Sequence, residues 1–335
     1  MRLRDLVSGR KRLYLFGGLG LLAASIYFLW QTGVGSMRLL ETTLIAMTPL
    51  TLAATGECIN EKAGVINIGI EGIFLIAALS GVYWAEIFQS GVLGLVFGSL
   101  TGALIGFFLG VMSVYGKADQ IIAGMGINLL AIGLVPFLLM AIWAFPGIHI
   151  FPRELMVPRV RLDTPQGLFS MSPVTLLAIG AAILAYVLLH RTLLGLRIRA
   201  VGERPEAVDV AGVSVARVRI LTSTLGGALA GLGGAFMPLG WFGGLTKEMS
   251  AGRGYIALAA VVFAGLNPLL ALAGAFLFGF SEALAFTIVV TPGIKDLVPF
   301  YFVQMTPYLV TIVALVLVLG GRRFPRAIGR PYRRE

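Results

Sequence analysis

Charged residues are scarce in this chain of 335 residues, and apolar residues are abundant. Asp, Glu, Lys and Arg make up 13% of the sequence, about half of their share in ordinary soluble domains. Apolar side chains make up 58%, and a water-soluble fold would expose much of that surface. The composition therefore excludes a soluble enzyme and a disordered protein. It is typical of a polytopic, all-α membrane protein. We expect the protein in the cytoplasmic (inner) cell membrane.

Cysteine and histidine are nearly absent, which excludes several kinds of site. The one cysteine, Cys58, rules out a disulfide framework and a multi-cysteine metal site. His149 and His190 are too far apart in sequence for an HExxH zinc motif. The GxxxxGK[ST] phosphate loop is also missing, since Gly116-Lys117 is followed by alanine. We expect the chain to bind no metal or cofactor and to have no enzymatic activity of its own.

Apolar segments, by contrast, recur along the whole chain. About 20 apolar residues are needed for a helix to cross the hydrocarbon core of a bilayer. Ten segments reach or approach that length, and the eighth is the shortest. The spans are 13–30, 39–57, 69–88, 91–114, 120–144, 174–190, 218–240, 254–266, 268–289 and 300–320. Only Asn267-Pro268 separates the eighth span from the ninth, which predicts a tight helical hairpin.

Basic residues indicate how these spans are oriented. The net charge is +10, and we assign it to helix flanks, so no nucleic acid is expected as a partner. With the N-terminus in the cytoplasm, 19 of the 26 Lys and Arg residues flank cytoplasmic ends. The positive-inside rule then places both termini in the cytoplasm. The alternative is that the first apolar stretch belongs to a signal peptide with a weak cleavage signal at Gly33 and Gly35.

The chain reads as one transmembrane domain, 1–335, with two halves. The first half is 13–144, an outer loop follows at 145–173, the second half is 174–320, and 321–335 is a basic cytoplasmic tail. Five spans on each side of the loop, running in opposite directions, allow a five-plus-five inverted repeat. Residues 71–78 resemble residues 253–260, although chance similarity between apolar helices is the alternative explanation.

Glycines spaced four residues apart mark one face of the fourth span and of the seventh. Such spacing lets a neighbouring helix backbone approach closely, so we predict tight packing there. The less favoured reading is a flexible gating helix. The residues are Gly94, Gly98, Gly102, Gly106 and Gly110 in the fourth span, and Gly227 and Gly231 in the seventh.

Polar residues within or between apolar spans are the candidates for a substrate pathway. The stretch 56–72 is rich in acids, asparagines and glycines, and it is either a re-entrant lining of a pathway or a structured cytoplasmic turn. A charge near the membrane centre costs about 2.5–3.5 kcal/mol and must face protein or water. Buried structural hydrogen bonds are the alternative role for these side chains. The candidates are Asn67, Glu71, Asn128 and Glu282.

The cytoplasmic loop 191–217 contains a second pattern. Pro205 suits the first turn of a short helix, and acids at positions 206 and 209 suit its positive end. Gly212 can end that helix. We predict a short helix that docks a cytoplasmic partner, against the alternative of a simple connector. The candidate contact residues are Glu203, Arg204, Glu206, Ala207, Asp209 and Gly212.

Three stretches together resemble a known family, the ribose/branched-chain amino-acid superfamily of ATP-binding-cassette (ABC) importer permeases. Residues 202–212 are similar to the coupling loop of such permeases, although the Ile-x-Leu-Pro of type I importers is missing. The second stretch is 48–54 together with 61–72, and the third is 251–260. The similarity extends over about 40–285. The nucleoside/simple-sugar branch is the best match.

This resemblance implies a permease subunit that moves nucleosides or simple sugars inward, with branched-chain amino acids third in order. It implies a second permease subunit, identical or related, and a cytoplasmic ABC ATPase that holds ATP and Mg. It also implies an extracytoplasmic substrate-binding protein, for which the outer loop 145–173 and the segment 241–254 are candidate docking surfaces. The alternatives are an ion-coupled secondary transporter, with Glu71 and Glu282 as ion ligands, and a channel or scaffold protein.

Overall fold

The computed structural model of the chain describes residues 36–144, 147–164, 167–290, 305, 324–330 and 332. The first predicted span lies outside the described residues, as do Gly33, Gly35 and all of the tenth span except Met305. The helices in the described part are α1 Ser36–Lys62, α2 Ile70–Phe88, α3 Gly91–Val114, α4 Gln120–Trp143, α5 Pro173–Arg191, α6 Leu193–Glu203, α7 Pro205–Val210, α8 Val215–Phe236, α9 Arg253–Ala264 and α10 Pro268–Val290. A π-helical turn, Met237–Phe242, extends α8.

Seven of these helices are long and apolar enough to cross a membrane, and α9 is a shorter apolar helix. They coincide with the eight predicted spans that fall in the described part of the chain, and the hairpin at Asn267-Pro268 is confirmed. One boundary is wrong, because α1 continues to Lys62 instead of ending at Glu57. The polar run after Gly56 remains helical because Gly56 packs on Gly226 and the Glu57 carboxylate has an internal partner.

The described part of the chain is mostly helical, as predicted, but short strands in the loop region 145–173 and at 245–246 are an exception to the all-α prediction. β2 Val160–Thr164 and β3 Gly167–Met171 form an antiparallel hairpin. β1 Ile148–His149 pairs with β4 Leu245–Thr246, which follows the π-helical turn. These strands lie at one end of the bundle, which we call the loop end. The opposite end carries α6, α7 and residues 324–330, and we call it the basic end.

Glycine faces join the two halves of the chain, and the predicted close packing is confirmed. The glycines of α3 lie directly against those of α8. A methyl group on Gly102 would lie 2.5 Å from Gly231 Cα, and one on Gly227 would lie 2.8 Å from Gly106 Cα. A similar contact joins α10 to α1, where a methyl group on Gly279 would lie 2.7 Å from the Met47 nitrogen. Each close approach pairs a helix of the first half with one of the second.

Candidate functional site

Two helices begin at the same place in the interior of the bundle, and we call this place the helix junction. α2 begins after the turn at 63–69, and α9 begins after the segment 243–252. The contact is tight, because a methyl group on Gly254 would lie 2.6 Å from Glu71 Cα. α9 has 12 residues and is about 18 Å long, too short to cross a hydrocarbon core of about 30 Å alone.

Glu71 links the two helix N-termini. Its Oε1 accepts hydrogen bonds from the Ser250 hydroxyl at 2.6 Å and the Gly252 N–H at 2.7 Å, and its Oε2 accepts from the Gly254 N–H at 2.7 Å. The first N–H groups of a helix have no partner within that helix. A carboxylate near a helix N-terminus is also stabilised by the helix dipole. Glu71 therefore caps α9 while it sits in the first turn of α2.

Asn128, on α4, caps the N-terminus of α2 as Glu71 caps that of α9. Its Oδ1 accepts from the Gly72 N–H at 2.8 Å, and its amide nitrogen donates to the Ile68 carbonyl at 3.0 Å and to the Tyr255 hydroxyl at 3.1 Å. Only 4% of Asn128 is exposed. The side chain therefore connects α4, the turn before α2, and α9.

Asn67 and Glu57 fix the turn that leads into α2. Glu57 accepts from the Asn67 N–H at 2.7 Å, and Asn67 Oδ1 accepts from the Gly69 N–H at 2.9 Å. Gln120 accepts from the Ile66 N–H at 2.8 Å. Every one of these side chains is buried, so their hydrogen bonds are shielded from competition by water. The turn is thus held by side chains from α1 and α4.

Glu282 lies near the junction but contacts different groups. It forms an ion pair with Arg253, whose Nε lies 3.0 Å from Glu282 Oε1. Arg253 also donates to the Met249 and Ser250 carbonyls, and its guanidinium lies 4.9 Å from the centre of the Trp241 ring. About a fifth of the Glu282 side chain is exposed, 21%. The Glu282 charge is thus compensated by the guanidinium of Arg253, the first residue of α9.

Sequence reasoning named Asn67, Glu71, Asn128 and Glu282, and the structure brings all four to the helix junction or its edge. It missed the groups that they bind, because those groups gave no local signal. Ser250 lies between the predicted seventh and eighth spans, and Arg253 directly precedes the eighth. Neither residue was given a role in the pathway. Gln120 reads as a polar residue at the start of a span. Only the tertiary fold brings these side chains together.

A second feature is the protruding surface of α6 and α7 at the basic end. α7 begins with Pro205, and Gly212 follows it with φ of +80°, as the sequence predicted. Helix α6 was not predicted; it occupies part of what was expected to be loop. The exposed residues include five of the six candidates, while Asp209 is half-buried and accepts a hydrogen bond from Tyr332. The exposed set is Glu203, Arg204, Glu206, Ala207, Val210, Ala211 and Gly212.

Comparison with known proteins connects this architecture to a family. Residues 39–321 match the family model described as the branched-chain amino acid transport system/permease component. The chain belongs to this permease family. It is a multi-pass protein of the cell membrane, with seven long apolar helices in the part that the structure describes. No solved structure matches the permease.

Three relatives are similar over nearly their whole length. The nucleoside ABC transporter permease NupC of Lactococcus lactis is 37% identical, over 86% of this permease and 94% of NupC. The guanosine ABC transporter permease NupQ of Bacillus subtilis is 33% identical, over 88% and 96%. The putative glucose ABC transporter permease TsgC13 of Haloferax volcanii is 34% identical, over 89% and 98%. All three are permeases of ABC transporters, and their names differ in the substrate.

Proposed function

We propose that this chain is the membrane permease subunit of an ABC importer for nucleosides. The observation that carries the proposal is its 37% identity to a nucleoside permease over 94% of that protein. The similar guanosine permease supports the same substrate class. The glucose permease keeps simple sugars as the second candidate, and the family description keeps branched-chain amino acids as the third.

The proposed orientation puts the basic end in the cytoplasm and the loop end outside. The asymmetry of 19 against 7 among the 26 Lys and Arg residues supports it, as positive charge accumulates on the cytoplasmic side. Three tryptophans also lie toward the loop end: Trp143 donates to Glu86, Trp241 lies against the Arg253 guanidinium, and Trp84 contacts Tyr83 near the end of α2. Indole rings favour membrane interfaces. Both termini are then cytoplasmic.

An inverted repeat of five plus five spans, ten in all, is part of the proposal. Each half has a helix, α2 or α9, that begins after a non-helical segment, and these two helices meet at Glu71. Each half also has a small-residue helix, α3 or α10, packed on the other half. Inverted repeats place substrate paths at the repeat interface, beside interrupted helices. The whole chain, 1–335, is one permease domain in this arrangement.

In this mechanism the helix junction gates the substrate route. Asn67, Glu71 and Asn128 set the positions of the two helix N-termini, and the Glu282–Arg253 pair faces the partly exposed edge. A gate needs two discrete arrangements, and backbone at helix ends can exchange its hydrogen-bond partners at modest cost. We infer that these four residues act by positioning the gate.

Coupling to the ATPase occurs, in this proposal, at the exposed surface of α6 and α7. The chain has no phosphate loop, so ATP and Mg belong to the ATPase, and hydrolysis reaches the permease as a movement. A projecting short helix with mixed charges suits that contact. A substrate-binding protein docks at the loop end, and a second permease subunit completes the complex in the bilayer.

The ion-coupled alternative requires acids that are available to bind a proton or sodium ion. Both oxygens of Glu71 are occupied by three donors, and Glu282 is paired with Arg253. A carboxylate whose oxygens already accept these hydrogen bonds or form this ion pair is a poor binding site for a coupling ion. These contacts favour ATP-driven transport.

Competition measurements test the substrate class. Uptake of labelled guanosine is measured in cells that express the complete transporter, with unlabelled nucleosides, glucose or leucine in excess. We expect nucleosides alone to abolish uptake. Competition by glucose, with nucleosides ineffective, would replace nucleosides by simple sugars, and competition by leucine would favour the third class.

Glu206→Lys tests the docking surface. The substitution places a positive charge in the first turn of α7, where the dipole disfavours it by about 0.3–1 kcal/mol, and it alters any ion pair with the ATPase. We expect less ATPase to co-purify, with normal membrane insertion. Ala207→Asp is a second variant of the same surface. Lys117→Glu, at an exposed residue outside α6 and α7, is the matched charge-reversal control. Wild-type uptake in both surface variants would show that the ATPase docks elsewhere.

A further inference from the structure

One arginine, Arg219 of α8, is completely buried at the basic end. It is 1% exposed and is the largest of the fully buried side chains in the described part of the chain. No carboxylate lies within ion-pair distance of it among the described residues. Its hydrogen-bond partners in the described part of the chain are main-chain carbonyls: those of Ala63 at 3.3 Å, Arg330 at 2.8 Å and Ala327 at 3.4 Å. These carbonyls belong to two segments that are far apart in sequence.

The first segment is the turn between α1 and α2, which leads into the helix junction. Gly64 in this turn has φ of +86°, a conformation that residues with a side chain rarely adopt. A methyl group there would lie 3.0 Å from the Arg219 Nη2 and 3.1 Å from the Ala327 carbonyl oxygen. Three residues later the chain reaches Asn67, which Glu57 holds. A displacement of this turn would therefore move the start of α2.

The second segment consists of the described residues 324–330 and 332, which we call the strap. The Gly329 N–H donates to the Gly64 carbonyl at 3.1 Å, and the Ala327 N–H donates to the Gly202 carbonyl, at the end of α6, at 2.9 Å. The Tyr332 hydroxyl donates to Asp209, on α7, at 3.0 Å. The strap thus bonds to both helices of the proposed ATPase surface and to the turn before the helix junction.

We propose that the strap and Arg219 transmit movement from the ATPase surface to the helix junction, with Arg219 as the positioning residue. This inference rests on the proposed function. The connection is continuous, from α6 and α7 through the strap to the turn at Gly64, and from there to α2. The planar guanidinium presents five donors in a fixed fork, so it holds the carbonyls of both segments at once. A flexible lysine ammonium cannot reproduce that geometry.

The decisive quantity is the number of substrate molecules imported per ATP hydrolysed. A purely structural brace would change the amount of intact complex, and uptake and hydrolysis would fall together, leaving this ratio unchanged. A transmitting element would lower the ratio. Couplings between sites in proteins correspond to about 5- to 150-fold effects, so we expect Arg219→Lys to lower the ratio about tenfold.

The experiment uses the complete reconstituted transporter, with labelled guanosine and its binding protein. Arg219→Lys is compared with Arg217→Lys, a matched control because Arg217 lies exposed on the same helix. A second variant ends at Arg323 and removes the strap while keeping Arg219. We expect both test variants to hydrolyse ATP with little dependence on loaded binding protein, and the control to behave as wild type.

Three results would overturn the inference. The first is a wild-type ratio in either test variant. The second is failure of both variants to assemble, which would make the strap a structural brace only. The third is an equal loss in Arg217→Lys. If the wild-type complex itself shows no guanosine-dependent ATP hydrolysis, the proposed function fails. That failure can be told apart from failure of the inference about Arg219 and the strap, because it is seen in the wild type before any variant is compared.

Discussion

Replacing Glu71 by glutamine tests the helix junction with the smallest change of shape. The amide has one oxygen where the carboxylate has two, so one of the two acceptor positions is replaced by an NH₂ group. If that NH₂ group takes the place of Oε2, it faces the Gly254 N–H, and two hydrogen-bond donors then oppose each other without an acceptor. The substitution also removes the negative charge beside the N-termini of α2 and α9. Ser250 and Gly252 keep a neutral acceptor in place of a charged one.

The expected loss follows from these contacts. A hydrogen bond to a charged group contributes about 1.5–3 kcal/mol, and Glu71→Gln removes one of them. The charge at each helix N-terminus adds about 0.3–1 kcal/mol, and two helices are involved. We therefore expect the free energy of unfolding to fall by about 2–5 kcal/mol.

The assay is a denaturation titration of the purified permease in detergent, followed by tryptophan fluorescence. Glu248→Gln is the matched control because Glu248 is exposed in the same segment, and surface changes stay within about 0.5 kcal/mol. Equal stability of Glu71→Gln and the control would refute the capping role. A raised KM for uptake with unchanged stability would make Glu71 a substrate ligand instead.

Three further outcomes follow from the packing and are measured by the same titration. Asn128→Ala leaves the buried Gly72 N–H without its acceptor, and we expect a loss of about 1–3 kcal/mol; no loss would show that another group replaces it. Gly102→Ala puts a methyl group 2.5 Å from Gly231 Cα and should cost about 1–3 kcal/mol. The control Gly126→Ala, with nothing within 4 Å, should cost nothing, and equal effects would contradict the close packing. Arg253→Met and Glu282→Met should each destabilise, while the double variant recovers part of the loss, because a partly buried charge left without its partner costs more than an apolar pair. Strictly additive effects would argue against the ion pair.

Much of the fold could be predicted from the sequence because membrane spans have strong local signals. Apolar length located eight helices in the described part of the chain. Four-residue glycine spacing predicted the contact between α3 and α8, and Pro205 with Gly212 delimited α7. Each of these signals is contained within one helix or one turn, so no tertiary contact is needed to read it.

The remainder depends on contacts that are remote in sequence. Glu57 and its neighbours looked like the beginning of a loop, yet α1 continues through them because the Glu57 carboxylate binds the Asn67 N–H. The candidate pathway residues could be named from the sequence, but not their hydrogen-bond partners, since Glu71 and Gly254 are 183 residues apart. Arg219 looked like an ordinary basic flank of a span. Its burial arises from two other segments that cover it.

The dependence of transport on ATP tests the central claim most directly. Proteoliposomes contain this permease with its second permease and ATPase subunits, and guanosine-loaded binding protein is supplied at the loop-end face. We predict labelled guanosine uptake only when ATP is present at the basic-end face, and no uptake from a proton or sodium gradient alone. Gradient-driven uptake in the absence of ATP, or ATP-independent leakage at the same rate, would contradict the account.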